Sequence, residues 1–93
     1  MHGYDGRRDE LQARLARIEG QVRGLRRMLD EDRYCIDVLT QISSTTRALQ
    51  GVATTMLDDH VRHCVRDAIA SGPEHADEKV EEALDVIHRL IKR

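Results

Sequence analysis

Three residues in this 93-residue sequence could together hold a soft metal ion: Cys35, His60 and Cys64. Two thiolates and an imidazole are soft to borderline donors, suited to Cu(I) or Zn(II) and not to Mg or Ca. A closed structural zinc site wants four ligands, usually with a Cys-x-x-Cys knuckle, and the chain has no such knuckle. Three ligands converging on a dry surface suit a low-coordinate ion such as Cu(I). His63 and Asp59 are close by but point about 100° away from their neighbours in the set, outside the direct ligands. Taken singly these residues say little: a buried cysteine is usually a small hydrophobe, and His-x-x-x-Cys alone is a weak motif. The triple is the stronger signal because of where Cys35 falls.

From Asp32 to Ser71 there is no proline and one glycine, Gly51. Along this stretch Cys35, Leu39, Ile42, Thr46, Leu49, Ala53, Met56, His60 and Cys64 recur at steps of three and four, one face of an α-helix. His60 and Cys64 are i and i+4, one turn apart. Cys35 is about 38 Å from His60 at about 1.5 Å of rise per residue, so one helix cannot bring them together. An antiparallel second copy, with a two-fold axis near Leu49, places Cys35 of one chain beside His60 and Cys64 of the other, twice by symmetry. The spacing therefore predicts an antiparallel dimer with two shared sites.

Composition agrees with helices and oligomerisation. Aromatic residues are 2% and charged residues 34%, so the core must be small aliphatic side chains with wet outer faces. A chain this short buries little core alone. No run is long and apolar enough for a membrane span and the N-terminus is polar, giving an expectation of a cytoplasmic protein in which two cysteines are ligands or redox thiols. Net charge is −2, but residues 7–27 hold seven arginines against three acids. A basic first helix predicts a polyanion partner on one face, and arginine forks suit phosphate. A Cys–His pair on one helix face offers no oxyanion donors and no pocket, so an enzyme is not expected.

The elements follow in order. Residues 1–5 read as a flexible N-terminal arm and 6–93 as one helical domain. Leu11, Leu15, Ile18, Val22, Leu25 and Leu29 predict a first helix over about 6–30, with Arg14, Arg17 and Gln21 facing outward. Gly20 and Gly24 inside it point to close approach of another helix. Asp32 is expected to cap a long second helix over about 32–71. Gly72 and Pro73 end it. Val80, Ala83, Leu84, Ile87, Leu90 and Ile91 predict a short third helix over about 76–92, its outer face carrying Glu78, Glu81, Asp85 and Lys92. The fold class is all-α.

The run Arg14-Leu15-Ala16-Arg17-Ile18-Glu19-Gly20-Gln21-Val22-Arg23-Gly24-Leu25, the segment Tyr34-Cys35-Ile36-Asp37-Val38-Leu39-Thr40-Gln41-Ile42 and His60-Val61-Arg62-His63-Cys64 resemble the copper-sensing repressors of the CsoR type. These belong to a wider bacterial family of metal, formaldehyde and sulfide sensors, and the resemblance spans nearly the whole chain. It implies an all-α antiparallel four-helix-bundle dimer, dimers pairing to a homotetramer, and operator DNA bound without a helix-turn-helix. It assigns the Cys35, His60, Cys64 set to the Cu(I) branch. It also implies that Tyr34 and a third-helix glutamate, Glu82 or its neighbour Glu81, support His60 from outside. Nickel and cobalt sensors use extra histidines, one near the N-terminus, where this chain has His2.

The expected function is a Cu(I)-responsive repressor that binds operator DNA when metal-free, through Arg14, Arg17 and Arg47, and controls copper-resistance or efflux genes. No membrane and no small-molecule substrate enter this reading. Two other readings stand beside it: a thiol or persulfide sensor of the same fold bridging Cys35 and Cys64, or another metal's sensor, and a metal-free helical interaction module.

Overall fold

The computed structural model describes residues 4–91, and every regular element there is helical. A 3-10 turn, Asp5–Arg7, leads into α1 (Arg8–Asp30). A short connection leads to α2 (Cys35–Asp59), which passes directly into a π-helical segment, His60–Val65, and then α3 (Arg66–Ser71). The last helix is α4 (Pro73–Ile91). His2, Lys92 and the first three residues of the expected arm lie outside the described residues, and Asp5 already belongs to the 3-10 turn. The chain divides into two compact units, Arg7–Thr54 and a second that joins the residues before Arg7 to the part from Thr55 onward.

In the first unit α1 and the early part of α2 form an antiparallel hairpin. Leu11 and Ile18 are buried, and Arg14, Gln21, Leu25 and Met28 are half-buried, the three-four spacing of a single packed face. Arg14 lies against Gly51: a Cβ there would stand 2.9 Å from a guanidinium nitrogen. At the other end Gln21, Leu25 and Met28 share a hollow with Arg33 and Gln41. The expected outward placement of Arg14 and Gln21 is thus corrected. The apolar stripe of α1 is wider than the partner it meets, and the packed face centres on the 11–14–18–21 side. Leu15, Val22 and Leu29 are left exposed. Within one chain no other helix approaches Gly20 or Gly24 among the described residues. A Cβ at Gly20 would meet only Arg23 of its own helix, and one at Gly24 would meet nothing among the described residues.

The turn at Asp30–Arg33 overturns another expectation. Asp32 does not cap the second helix; it closes the first. Its φ is +52°. The Asp32 N–H donates to Leu29 O at 3.2 Å and the Arg33 N–H to Met28 O at 3.0 Å. This pair of bonds is the Schellman motif, with aspartate in the left-handed place usually taken by glycine. The second helix opens instead at Cys35, with the Tyr34 carbonyl accepting from the Asp37 and Val38 N–H groups at 3.0 and 3.2 Å. Within α2, Thr40, Thr45 and Thr54 donate their hydroxyls to carbonyls four residues back, which satisfies the hydroxyls at a slight cost to the helix.

In the second unit α4 packs on the π segment and on α3, burying Val65, Ala68 and Ala83. Gly72 has φ +129° and ψ 158°, a region open essentially to glycine alone. Its carbonyl accepts the first α4 bond, from the Ala76 N–H at 3.2 Å. Pro73 therefore opens α4 at its first position, where its missing N–H is no loss. The expected start near residue 76 moves back to Pro73.

The two special backbone positions call for opposite substitutions. Asp32→Gly relieves a left-handed residue and should stabilise the fold by about 1 kcal/mol. Gly72→Ala should destabilise it by about 1–3 kcal/mol. Thermal or urea unfolding of the two variants reads both signs.

Candidate metal centre and arginine face

His60 and Cys64 both fall inside the π segment, where each backbone hydrogen bond reaches one residue further than in an α-helix. π turns of this kind occur frequently at functional sites, and nothing in residue spacing marks this one. Both side chains are half-buried, and Cys64 is a free thiol. His60 Nε2 is buried, with no hydrogen-bond partner among the described residues. Burying a ring nitrogen without a partner costs about 1–3 kcal/mol, and ligation of a metal ion is one way such a ring would be satisfied. Asp59, next to His60, is buried, and His63 is exposed. Neither joins the pair.

Cys35 is an exposed free thiol at the first position of α2, with Tyr34 beside it 67% exposed. The face that runs from it is exposed as well: Leu39 is 57% and Leu49 51% accessible, and Ile42 and Met56 are open too. The side of α2 that packs carries Val38 and Val52 instead. The predicted seam is therefore the face of α2 that one chain leaves bare. Among the described residues of a single chain, no three His, Cys, Asp or Glu side chains come close enough together to hold a metal.

Helix α4 brings two charges to the His60–Cys64 pair. Lys79 Nζ lies 3.0 Å from Glu82 Oε2. The hydrogen bond and charge of Lys79 hold the Glu82 carboxyl below the usual glutamate range, with His60 adding to the effect. In return Glu82 raises Lys79, and the charges of Cys64 and Glu78 contribute. Glu82, one of the two expected glutamates, thus feels the charge of His60. Lys79 was not anticipated, although its place three residues before Glu82 was a readable sign.

The arginines divide. Arg17 and Arg47 are exposed, whereas Arg14 is half-buried against Gly51. Arg23, Arg26 and Arg27 are also exposed, and with Asp30 they line a shallow hollow near the end of α1. Among the described residues no helix is long and apolar enough to cross a membrane.

Known proteins resemble this chain over its length. The family described as metal-sensitive transcriptional repressor matches residues 7–89. The copper-sensing transcriptional repressor RicR of Mycobacterium tuberculosis is 54% identical, over 98% of this chain and 95% of that one. The copper-sensing transcriptional repressor CsoR of Bacillus subtilis is 45% identical, over 98% and 88%. Among solved structures, the copper-sensing repressor CsoR with Cu(I) from Geobacillus thermodenitrificans superposes with a TM-score of 0.86 at 40% identity, covering 95% of this chain and 90% of that one. The nickel-responsive transcriptional regulator InrS superposes with a TM-score of 0.75 at 42% identity, covering 83% and 88%. A family match over almost all of the helical chain, joined to relatives this close, makes the protein a member of the metal-sensitive transcriptional repressors.

Proposed function

We propose that this protein is a Cu(I)-responsive transcriptional repressor. It binds operator DNA in its metal-free form, releases it when Cu(I) is held, and so controls copper-resistance or efflux genes in the cytoplasm. It acts as a regulator and not as a catalyst. The observation that carries the reading is the buried, unpartnered Nε2 of His60 one turn from the Cys64 thiol. Relatives named as copper sensors support it. A nickel-responsive relative shares the fold, so the fold alone does not choose the metal. The donor set does, because two thiols and one imidazole favour a soft monovalent ion.

The site is completed across an antiparallel dimer, with Cys35 from one chain joining His60 and Cys64 from the other. The bare apolar face between Cys35 and Met56 supports this pairing. Two such dimers pair into a tetramer. Tyr34 and Glu82 support His60 from outside the ligand set, fixing its tautomer. Once these three donors share one ion, the two chains are tied at both ends of the seam, and the tied arrangement binds DNA less well. The coupling is reciprocal: operator DNA weakens copper binding by the same factor. DNA is held chiefly through phosphate by arginines on the outer face. Arg17 and Arg47 are the direct contacts and Arg14, packed on Gly51, is a contributor from the edge.

Two outcomes test this reading. Cys35→Ala should leave metal-free operator affinity within about threefold of the parent, the scale of a surface change, and should abolish copper-driven release in an anaerobic binding titration. Copper-driven release that survives the substitution would remove Cys35 from the site. Arg17→Ala should weaken operator binding and lower the slope of log affinity against log salt by about 0.9 for each phosphate left without its arginine. An unchanged slope would move the DNA face elsewhere.

A further inference from the structure

Helix α1 carries cations beyond Arg17 that have no role so far. Arg17, Gly20, Gly24 and Arg27 recur at steps of three, four and three, one face of the helix. Arg17 and Arg27 are exposed, and neither enters a salt bridge or a side-chain hydrogen bond among the described residues. Glu19, the one acid between them in sequence, falls about 160° round the helix from Arg17. Past Arg27 the same side continues to Arg33. Gly24, Arg27, Arg33 and Gln41 border one hollow, in which Glu31 is the only carboxylate among the described residues. Arg33 is likewise exposed, with its guanidinium unpaired among the described residues.

We infer that this row continues the operator-binding face, with Arg27 and Arg33 as further contacts to the phosphate backbone of duplex DNA. This rests on the operator-binding reading and extends it from Arg17 to the turn between α1 and α2. Arg17 and Arg27 stand about 15 Å apart at about 1.5 Å of rise per residue. A DNA strand carries one phosphate per about 3.4 Å of its axis, so the row spans about four phosphates. An exposed guanidinium that no carboxylate of the chain neutralises is free to displace counterions from a polyanion. Gly20 and Gly24 place no side chain between the arginines, so nothing on this face holds the duplex away from them. Glu31, at the rim, opposes the same phosphates. Arg26 is equally exposed but lies about 180° round the helix from Arg17. It borders the hollow of Leu15 and Val22 and takes no part.

Salt titrations of the metal-free protein with two duplexes test the inference, one from upstream of its own gene and one unrelated duplex of equal length. Arg27→Ala and Arg33→Ala should each weaken binding to both duplexes by a similar factor. Each should also lower the slope of log affinity against log salt by about 0.9 for every phosphate left bare. Arg27→Lys should keep the parental slope, and Arg26→Ala should keep both affinity and slope. Glu31→Gln should tighten binding to both duplexes. Parental slopes in Arg27→Ala and Arg33→Ala, or an Arg26→Ala loss equal to theirs, would overturn the inference. So would lost stability in urea or an altered oligomer size at a parental slope, the mark of a helix-dipole or subunit-contact role. A parent protein that binds neither duplex would instead sink the operator reading itself, and this inference with it.

Discussion

One chain of this protein covers only part of its own apolar surface. On α1 the face that meets α2 is buried, while Leu15, Val22 and Leu29 stay in solvent. On α2 Val38 and Val52 are covered, and Leu39, Ile42, Leu49 and Met56 are not. On α4 Ala83 is buried, while Val80, Leu84 and Leu90 are open. Full burial of each such aliphatic side chain contributes about 1.5–3 kcal/mol, and contiguous bare apolar surface marks an association site. The proposed antiparallel dimer would cover this bare stripe with a second copy of the chain.

The candidate centre sits where that constraint and the ligand chemistry coincide. Cys35 opens α2 and His60 with Cys64 follow its last residue in sequence, so the proposed antiparallel copy would bring the donors together as it closed the face. A metal site completed between chains makes ligation a statement about assembly, and a repressor whose DNA affinity depends on assembly geometry then responds to the ion. The π turn under His60 and Cys64 and the Lys79–Glu82 pair on α4 lie within one unit of the chain.

Much of this was legible in the residues. The three-four spacing of Leu, Ile and Val marked the helices, and the alignment of Cys35 with His60 and Cys64 is what the proposed donor set rests on. What failed was local chemistry with two readings. Asp32 favours a helix N-cap, yet aspartate also tolerates the left-handed conformation, and the Schellman bonds to Leu29 and Met28 decided for the latter. Pro73 reads as a stop or as a start, and the Gly72 conformation made it a start. Arg14 was expected outward because the α1 stripe ran through Leu15 and Val22. A stripe broader than its partner leaves one edge free, and spacing alone does not say which. The π segment had no signal at all, because residue periodicity cannot register one widened turn.

The central claim is that two chains share each metal ion, and mixed dimers test it most directly. Chains carrying Cys35→Ala and chains carrying Cys64→Ala each lack a complete donor set alone. Co-expressed under different affinity tags and isolated as the mixed species, they should regain one intact site per dimer. That site would appear as a high-affinity Cu(I) step in a chelator-competed anaerobic titration that neither parent variant shows. A mixed dimer as empty of that step as its two parents, or a Cys35→Ala homodimer that keeps it, would contradict the shared site.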